Sequence, residues 1–184
     1  MSSAKIGSFL ESRGWTRRIA GDADFDAAVA AVGEMAGRGI GLVVSGEYGS
    51  GKTALVNALV QAYGEPFRVR LALPADLQRL RPDWQEYWAA NPYGQNVFLD
   101  DLGAEPMTNE YGVRLEAAGD FIVSWHELAR PGRRLFVTTN LTTAEIDERY
   151  GGRVLSRLKD LCVPLRLAGP DKRKWTLPQK GAAR

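Results

Sequence analysis

Eight consecutive residues, Gly46-Glu47-Tyr48-Gly49-Ser50-Gly51-Lys52-Thr53, restrict the possible folds more than any other stretch of this 184-residue chain. They fit G-x-x-x-x-G-K-[ST] throughout, the pattern of a loop whose backbone N–H groups cradle phosphate oxygens. The flanks supply the context that the pattern requires. Gly41 to Ser45 is an apolar run suited to a buried strand, and Ala54 to Tyr63 sets Leu55, Val56, Leu59, Val60 and Tyr63 at helical spacing before Gly64. Glycines are needed because side chains on the loop would hold phosphate away from the N–H groups at the helix N-terminus. Gly46, Glu47, Tyr48, Gly49, Ser50, Gly51, Lys52 and Thr53 are therefore the expected nucleotide-binding residues. Lys52 brings a positive charge to the β- and γ-phosphates, and the Thr53 hydroxyl is an expected Mg²⁺ ligand.

Two further apolar runs end in polar groups suited to the same site. Asn96 to Leu99 reads as a strand that delivers Asp100-Asp101, with Asp100 the expected Mg²⁺ ligand and Asp101 placed to orient and deprotonate an attacking water. Leu135 to Thr139 reads as another strand ending at Asn140, a polar residue able to polarise the γ-phosphate or the water. The remaining elements follow from periodicity and caps. Asp22 or Asp24 caps a helix to about Ala36 with Phe25, Ala28, Val29, Val32, Met35 and Ala36 on its buried stripe. Phe67 to Ala72 is a strand, and Ala75 to Leu80 and a stretch after Pro82 are short helices. Gly112 to Ala129 is a helix with Leu115, Ala118, Ile122, Trp125, Leu128 and Ala129 on one face and His126 off it. Thr142 with Glu145 makes a capping box for a helix to about Tyr150, the next short helix carries Arg153 and Arg157 one turn apart, and Val163 to Leu167 is a fifth strand. Strands alternating with helices predict an α/β fold, a doubly wound parallel sheet with its site at the C-terminal edge of the strands.

Composition narrows the class. At 45 % apolar residues the chain can bury one substantial core. Its one cysteine, Cys162, lies in the apolar run Leu161-Cys162-Val163 and reads as a buried, inert thiol. No apolar stretch is long enough to cross a bilayer and the N-terminus has no signal-like apolar region, so the expectation is a cytoplasmic protein with no membrane partner. The formal charge of +2 is uneven: from Arg153 onward nine Lys or Arg face only Asp160 and Asp171. A basic end of this kind suits a polyanion, although a solvated tail has the same composition. Residues 1–20 form an extension with Ile6, Phe9 and Leu10 at i, i+3, i+4, which is either a docking peptide or a helix folded back on its own domain. Residues 176–184 are a tail.

A resemblance rests on four strings. Leu99-Asp100-Asp101-Leu102-Gly103-Ala104-Glu105-Pro106, Thr138-Thr139-Asn140-Leu141, Glu148-Arg149-Tyr150-Gly151-Gly152-Arg153-Val154 and Ser156-Arg157-Leu158 resemble the ATPase core of the DnaC/IstB family of AAA+ proteins, bacterial helicase loaders and transposition helpers. The resemblance runs from about Gly41 to Lys174, giving a core domain of residues 21–175. It implies a five-stranded sheet in the order 5-1-4-3-2 with helices on both faces and no helical lid. It also implies Asn140 as sensor 1, Arg157 or Arg153 as an arginine finger offered to a neighbouring subunit, and Arg173 at the sensor 2 position. The implied activity is slow ATP hydrolysis with Mg²⁺, in a homo-oligomer assembled on ATP that acts on single-stranded DNA with a replicative helicase, or with a transposase in the IstB branch. On this resemblance the expectation is a minimal core without that family's usual N-terminal domain.

Competing classes fit less well. A GTPase needs Asn-Lys-x-Asp after the fourth strand, where this chain has Asn140-Leu141-Thr142-Thr143, and a small-molecule kinase has no use for paired arginines after the carboxylates. An ATP-switched scaffold with little turnover would carry the same motifs. A further expectation concerns Trp84, Tyr87, Trp88 and Tyr93, preceded by Arg79 and Arg81. Initiator-type AAA+ proteins line a single-stranded DNA path in this interval, and aromatic stacking with arginine–phosphate contacts would serve it. Equally, Trp84 and Trp88 at i, i+4 would pin a short helix to the core.

Overall fold

The computed structural model describes residues 2–62, 69–72, 96–105, 108–110, 113–127, 133–169 and 171. The elements are α1 (Ser3–Ser12), α2 (Arg17–Ala20), α3 (Asp22–Arg38), β1 (Gly41–Gly46), α4 (Lys52–Ala62), β2 (Val69–Ala72), β3 (Asn96–Leu102), β4 (Thr108–Glu110), β5 (Val113–Leu115), α5 (Ala117–Glu127), β6 (Leu135–Thr139), α6 (Thr143–Tyr150), α7 (Gly152–Leu161) and β7 (Cys162–Leu167). Five strands form one parallel sheet in the order β2-β3-β6-β1-β7. Numbered by their own order along the chain, these five run 5-1-4-3-2 from the β7 edge. Strands β4 and β5 make a separate antiparallel pair.

The continuous apolar runs are explained by a sheet covered on both faces, where alternate side chains enter two different cores. Leu42, Val44, Phe98, Phe136, Val163, Leu165 and Leu167 point into one core, with α1, α3 and α4. Val43, Val97, Leu99, Leu135, Val137 and Cys162 point into the other, with α5, α6 and α7. Phe136 is fully buried at the centre of the first, and removing such a ring typically costs about 3–5 kcal/mol. Cys162 is buried in the second; its Sγ donates to the Leu135 carbonyl at 3.2 Å, and burial pushes its thiol pKa far up.

Residues 2–20 fold back onto the domain. Ile6, Leu10 and Trp15 are each at most 2 % exposed in the core that α3 and α4 share, and the Trp15 ring stacks on Phe25 with centroids 5.6 Å apart. That consumes the apolar face from which a docking peptide would be built.

Three sequence expectations need correction. Neither Asp22 nor Asp24 caps α3, whose N-cap is Gly21. Asp24 instead turns inward, 7 % exposed, and accepts the N–H groups of Ala168 and Gly169 at 2.9 Å each, because these donors lie just past the end of β7 and have no sheet partner. The helix expected from Gly112 begins only at Ala117, since 113–115 pair with 108–110 as a two-stranded ribbon. Strand pairing overrides the helical reading of Leu115, and Phe121 joins Ala118, Ile122 and Trp125 on the buried face of α5. Strand β3 runs on through both aspartates to Leu102, gaining an extra residue against β6: Leu99 pairs with Val137 and Leu102 with Thr139.

Candidate functional site

The end of β1, the loop after it and the start of α4 carry the eight residues of the phosphate-loop motif. Lys52 is 6 % exposed, and its ammonium donates to the carbonyls of Gly46 (3.0 Å) and Glu47 (2.8 Å) and to Asn140 Oδ1 (2.7 Å). Strand β6, which delivers Asn140, lies between β1 and β3. The adjacency of Lys52 and Asn140, 88 residues apart in sequence, follows from that strand order. Gly49 has a φ of +73°, and a Cβ there would stand 1.6 Å from Asp171 Oδ1, so glycine is required both by the backbone and by the carboxylate lying over it. The Asp24 carboxylate accepts the N–H groups of Ala168 and Gly169, three and two residues before Asp171 in the chain.

The two aspartates occupy different geometries. Asp100 accepts the Thr53 hydroxyl at 3.0 Å and the Thr138 hydroxyl at 2.5 Å. Its neighbour Asp101 takes the extra residue of β3 and is left-handed, with a φ of 56°, the one described non-glycine residue with positive φ. A bulge re-aims a side chain at a strand end, and here it turns Asp101 into the cleft lined by Tyr48, Gly49, Gly51, Lys52, Thr53, Ala54 and Asn140, with a volume of about 350 Å³. The Asp101 N–H donates to Thr138 Oγ1 at 2.8 Å, and the same hydroxyl donates onward to Asp100. Thr138 is fully buried and bridges both aspartates. Sequence reading placed it on a strand but gave it no role; the polar pair Thr138-Thr139 inside an otherwise apolar run was the available signal.

Thr53 and Asp100 present a hydroxyl and a carboxylate at hydrogen-bond distance, a hard oxygen set that suits Mg²⁺, which takes only one or two protein ligands and completes its octahedron with phosphate oxygens and water. No cluster of three or more acidic, His or Cys side chains able to hold a metal occurs among the described residues.

Beyond the cleft, Glu105 enters a closed network. Its carboxylate accepts the Gly103 N–H at 3.0 Å and the Tyr150 hydroxyl, and lies 3.4 Å from Arg149. Burial, followed by the hydrogen bond to that carboxylate, pushes the Tyr150 pKa far up. With these partners Glu105 is committed to structure and is no substitute base for Asp101.

The two candidate finger residues lie on α7, away from the cradle. Arg153 is 68 % exposed beside Glu127 at 3.2 Å, and Arg157 is 33 % exposed with Asp160 at 3.7 Å. Neither lines the cleft of its own chain. The expected surface residue His126 is partly covered, 3.4 Å from Asp160. Arg79, Arg81, Trp84, Tyr87, Trp88, Tyr93 and Arg173 lie outside the described residues. A second hollow, about 500 Å³, adjoins the loop on its other side, between Glu47, Tyr48, Thr142 and Arg166. None of the described helices is long and apolar enough to cross a membrane.

The chain matches no protein-family model and no curated protein sequence. Among solved structures it is similar to AMPPCP-bound DnaA from Aquifex aeolicus, with a TM-score of 0.54 and 16 % identity over 78 % of this chain and 45 % of that one. It is also similar to domain III of the replication initiation protein DnaA from Thermotoga maritima, with a TM-score of 0.55 and 21 % identity over 83 % of this chain and 65 % of that one. The chain thus spans less than two thirds of either relative. At these identities the likeness establishes the fold alone: an α/β domain with a parallel sheet, built like the corresponding part of these two DnaA structures.

Proposed function

We propose that this protein binds and hydrolyses ATP as an AAA+ ATPase of the helicase-loader kind, with ATP-driven homo-oligomerisation and single-stranded DNA as its working context. The observation that carries the reading is the convergence of Lys52, Thr53, Asp101 and Asn140, from three separate segments, on one cleft, with Asp100 accepting the Thr53 hydroxyl. In this reading Lys52 and the loop N–H groups hold the polyphosphate, and Thr53 with Asp100 would hold Mg²⁺, which would supply positive charge to the phosphoryl group being transferred. Asp101 accepts a proton from the attacking water, and Asn140 orients the γ-phosphate. Arg157, or Arg153 on the same helix, acts across a subunit boundary, which is supported by the exposure of Arg153 and by the absence of both from the lining of their own cleft. The fold shared with a replication initiation protein supports a replicative partner, a helicase, over a transposase, and a cytoplasmic setting accords with that partner.

Hydrolysis and binding measured on three variants test the reading. Lys52→Ala should lose ATP binding in calorimetry. Asp101→Asn should keep binding and lose about two to four decades of turnover. Arg157→Ala should also bind ATP but hydrolyse poorly, and mixing it with Lys52→Ala should recover activity at mixed interfaces, since a finger is worth roughly three to five decades where measured. Wild-type binding by Lys52→Ala would end the phosphate-cradle assignment. Failure of a co-assembled mixture to recover any activity would end the trans assignment. Turnover indifferent to single-stranded DNA, with no DNA bound in ATP, would remove the loader reading and leave an ATPase of other purpose.

A further inference from the structure

The left-handed conformation of Asp101 must be held by its surroundings, since an aspartate released from constraint returns to extended or helical backbone. On the side toward the strand, Thr138 holds the Asp101 N–H. On the far side, the turn Asp101-Leu102-Gly103-Ala104 is closed by Ala104 N–H on the Asp101 carbonyl at 3.0 Å. Two groups then fix that turn to the rest of the protein: the Thr139 hydroxyl, which donates to the Leu102 carbonyl at 2.7 Å, and beyond it one guanidinium. Arg149 on α6 donates from Nη1 to the Gly103 carbonyl and from Nη2 to the Glu105 carbonyl at 2.6 Å. It also pairs with the Glu105 carboxylate at 3.4 Å and, through Nε, with Glu116 at 3.5 Å. Its side chain is 12 % exposed, and those of Glu105 and Glu116 are 6 % and 13 %. Only a planar fork reaches two carbonyls and two carboxylates at once, so lysine cannot replace it. Tyr150, next in sequence, adds its hydroxyl to the same carboxylate. Gly103, with a φ of +100° and Leu141 side-chain atoms 2.6 Å from where its Cβ would be, lets the turn lie flat against the segment that carries Asn140.

We propose that Arg149 is a positioning residue for hydrolysis: by clasping residues 103–105 and Glu116 it holds the bulge that aims Asp101 at the cleft. The proposal rests on the reading of Asp101 as the base. Arg149 touches no group that lines the cleft, so nucleotide binding through the loop, Lys52 and Asp100 does not need it. Helix α6 starts just beyond Asn140 and is followed by α7 with Arg153 and Arg157, so the same clasp joins the exit of the aspartate strand to the elements on which the other catalytic candidates stand.

The test is Arg149→Lys, alone and combined with Asp101→Asn, with ATP affinity measured by calorimetry and hydrolysis by single-turnover assay. Arg149→Lys should bind ATP within about threefold of wild type and hydrolyse roughly tenfold to a hundredfold more slowly, the penalty for a misplaced catalytic group. In the Asp101→Asn background the same substitution should slow hydrolysis no further, because a positioning residue has nothing left to position. A merely structural role predicts the opposite, equal losses in both backgrounds, and that result overturns the proposal, as does wild-type turnover by a folded Arg149→Lys. Should Arg149→Lys fail to fold, Tyr150→Phe removes only the hydroxyl from the clasp. It should slow hydrolysis severalfold without a change in ATP affinity, and unchanged turnover there also overturns the proposal. Normal hydrolysis by Asp101→Asn itself would show that the base assignment, rather than the clasp, is at fault.

Discussion

Replacing Thr138 by valine keeps the shape of the side chain and removes the hydroxyl that joins the two aspartates. In the wild-type chain that hydroxyl accepts the Asp101 N–H at 2.8 Å and donates to the Asp100 carboxylate at 2.5 Å, at a fully buried position. A neutral hydrogen bond contributes about 1 kcal/mol and one to a charged group about 1.5–3 kcal/mol, while an added buried methyl returns roughly 1 kcal/mol at most. The net loss should be about 1.5–3 kcal/mol, which for a domain of this length lowers the melting temperature by roughly 3–12 °C. Thr138→Ser keeps the hydroxyl and loses only the methyl, so it should recover most of that stability. The measurement is thermal unfolding of the three proteins under one buffer, followed by ATP hydrolysis below the lowest transition. Turnover should follow the same order, because Thr138 holds one side of the Asp101 bulge. Equal melting temperatures for the valine and serine variants would refute the bridge as a stabilising element. A stable Thr138→Val with normal turnover would refute its part in aiming Asp101.

Asp24→Ala leaves the Ala168 and Gly169 N–H groups without their acceptor and should cost about 2–4 kcal/mol in urea unfolding, with Asp24→Asn intermediate; no loss in either would show that the clasp past β7 carries no weight. Gly49→Ala forces a left-handed backbone on alanine and a Cβ into the Asp171 carboxylate, so ATP affinity should fall at least about tenfold, and Asp171→Ala should return part of it; calorimetry on the pair decides. The Glu145 carboxyl is held below its ordinary value of 4.5 by the Thr142 N–H and hydroxyl. Its contribution to stability is therefore present above that value and lost as pH falls through the lower folded one, and Glu145→Gln should flatten that part of the pH–stability curve.

The sequence made the phosphate loop, both aspartates and Asn140 legible because each lies at a strand end, where a polar residue after an apolar run stands out. What it hid were features set by pairing between distant segments. The bulge that separates the roles of Asp100 and Asp101 arises from register against β6, and a pair of adjacent aspartates says nothing of register. Asp24 looked like a helix cap because its true partners are 144 and 145 residues away. The network around Glu105 depends on the fold bringing Arg149 and Tyr150, more than forty residues on, against it. The ribbon of β4 and β5 was missed because a three-residue strand offers too few positions for a period to show.

The enclosure of Cys162 has a practical consequence for studying the assembly. With its sulfur bonded to the Leu135 carbonyl and its ionisation suppressed by burial, the native thiol will not compete for maleimide dyes under native conditions. Since it is the chain's single cysteine, a second one introduced at an exposed site would be labelled selectively with no need for a cysteine-free background. Exposed Ser156, between Arg153 and Arg157 on α7, offers such a site. A donor and an acceptor attached there on separate batches of protein would report subunit association in real time as ATP is added.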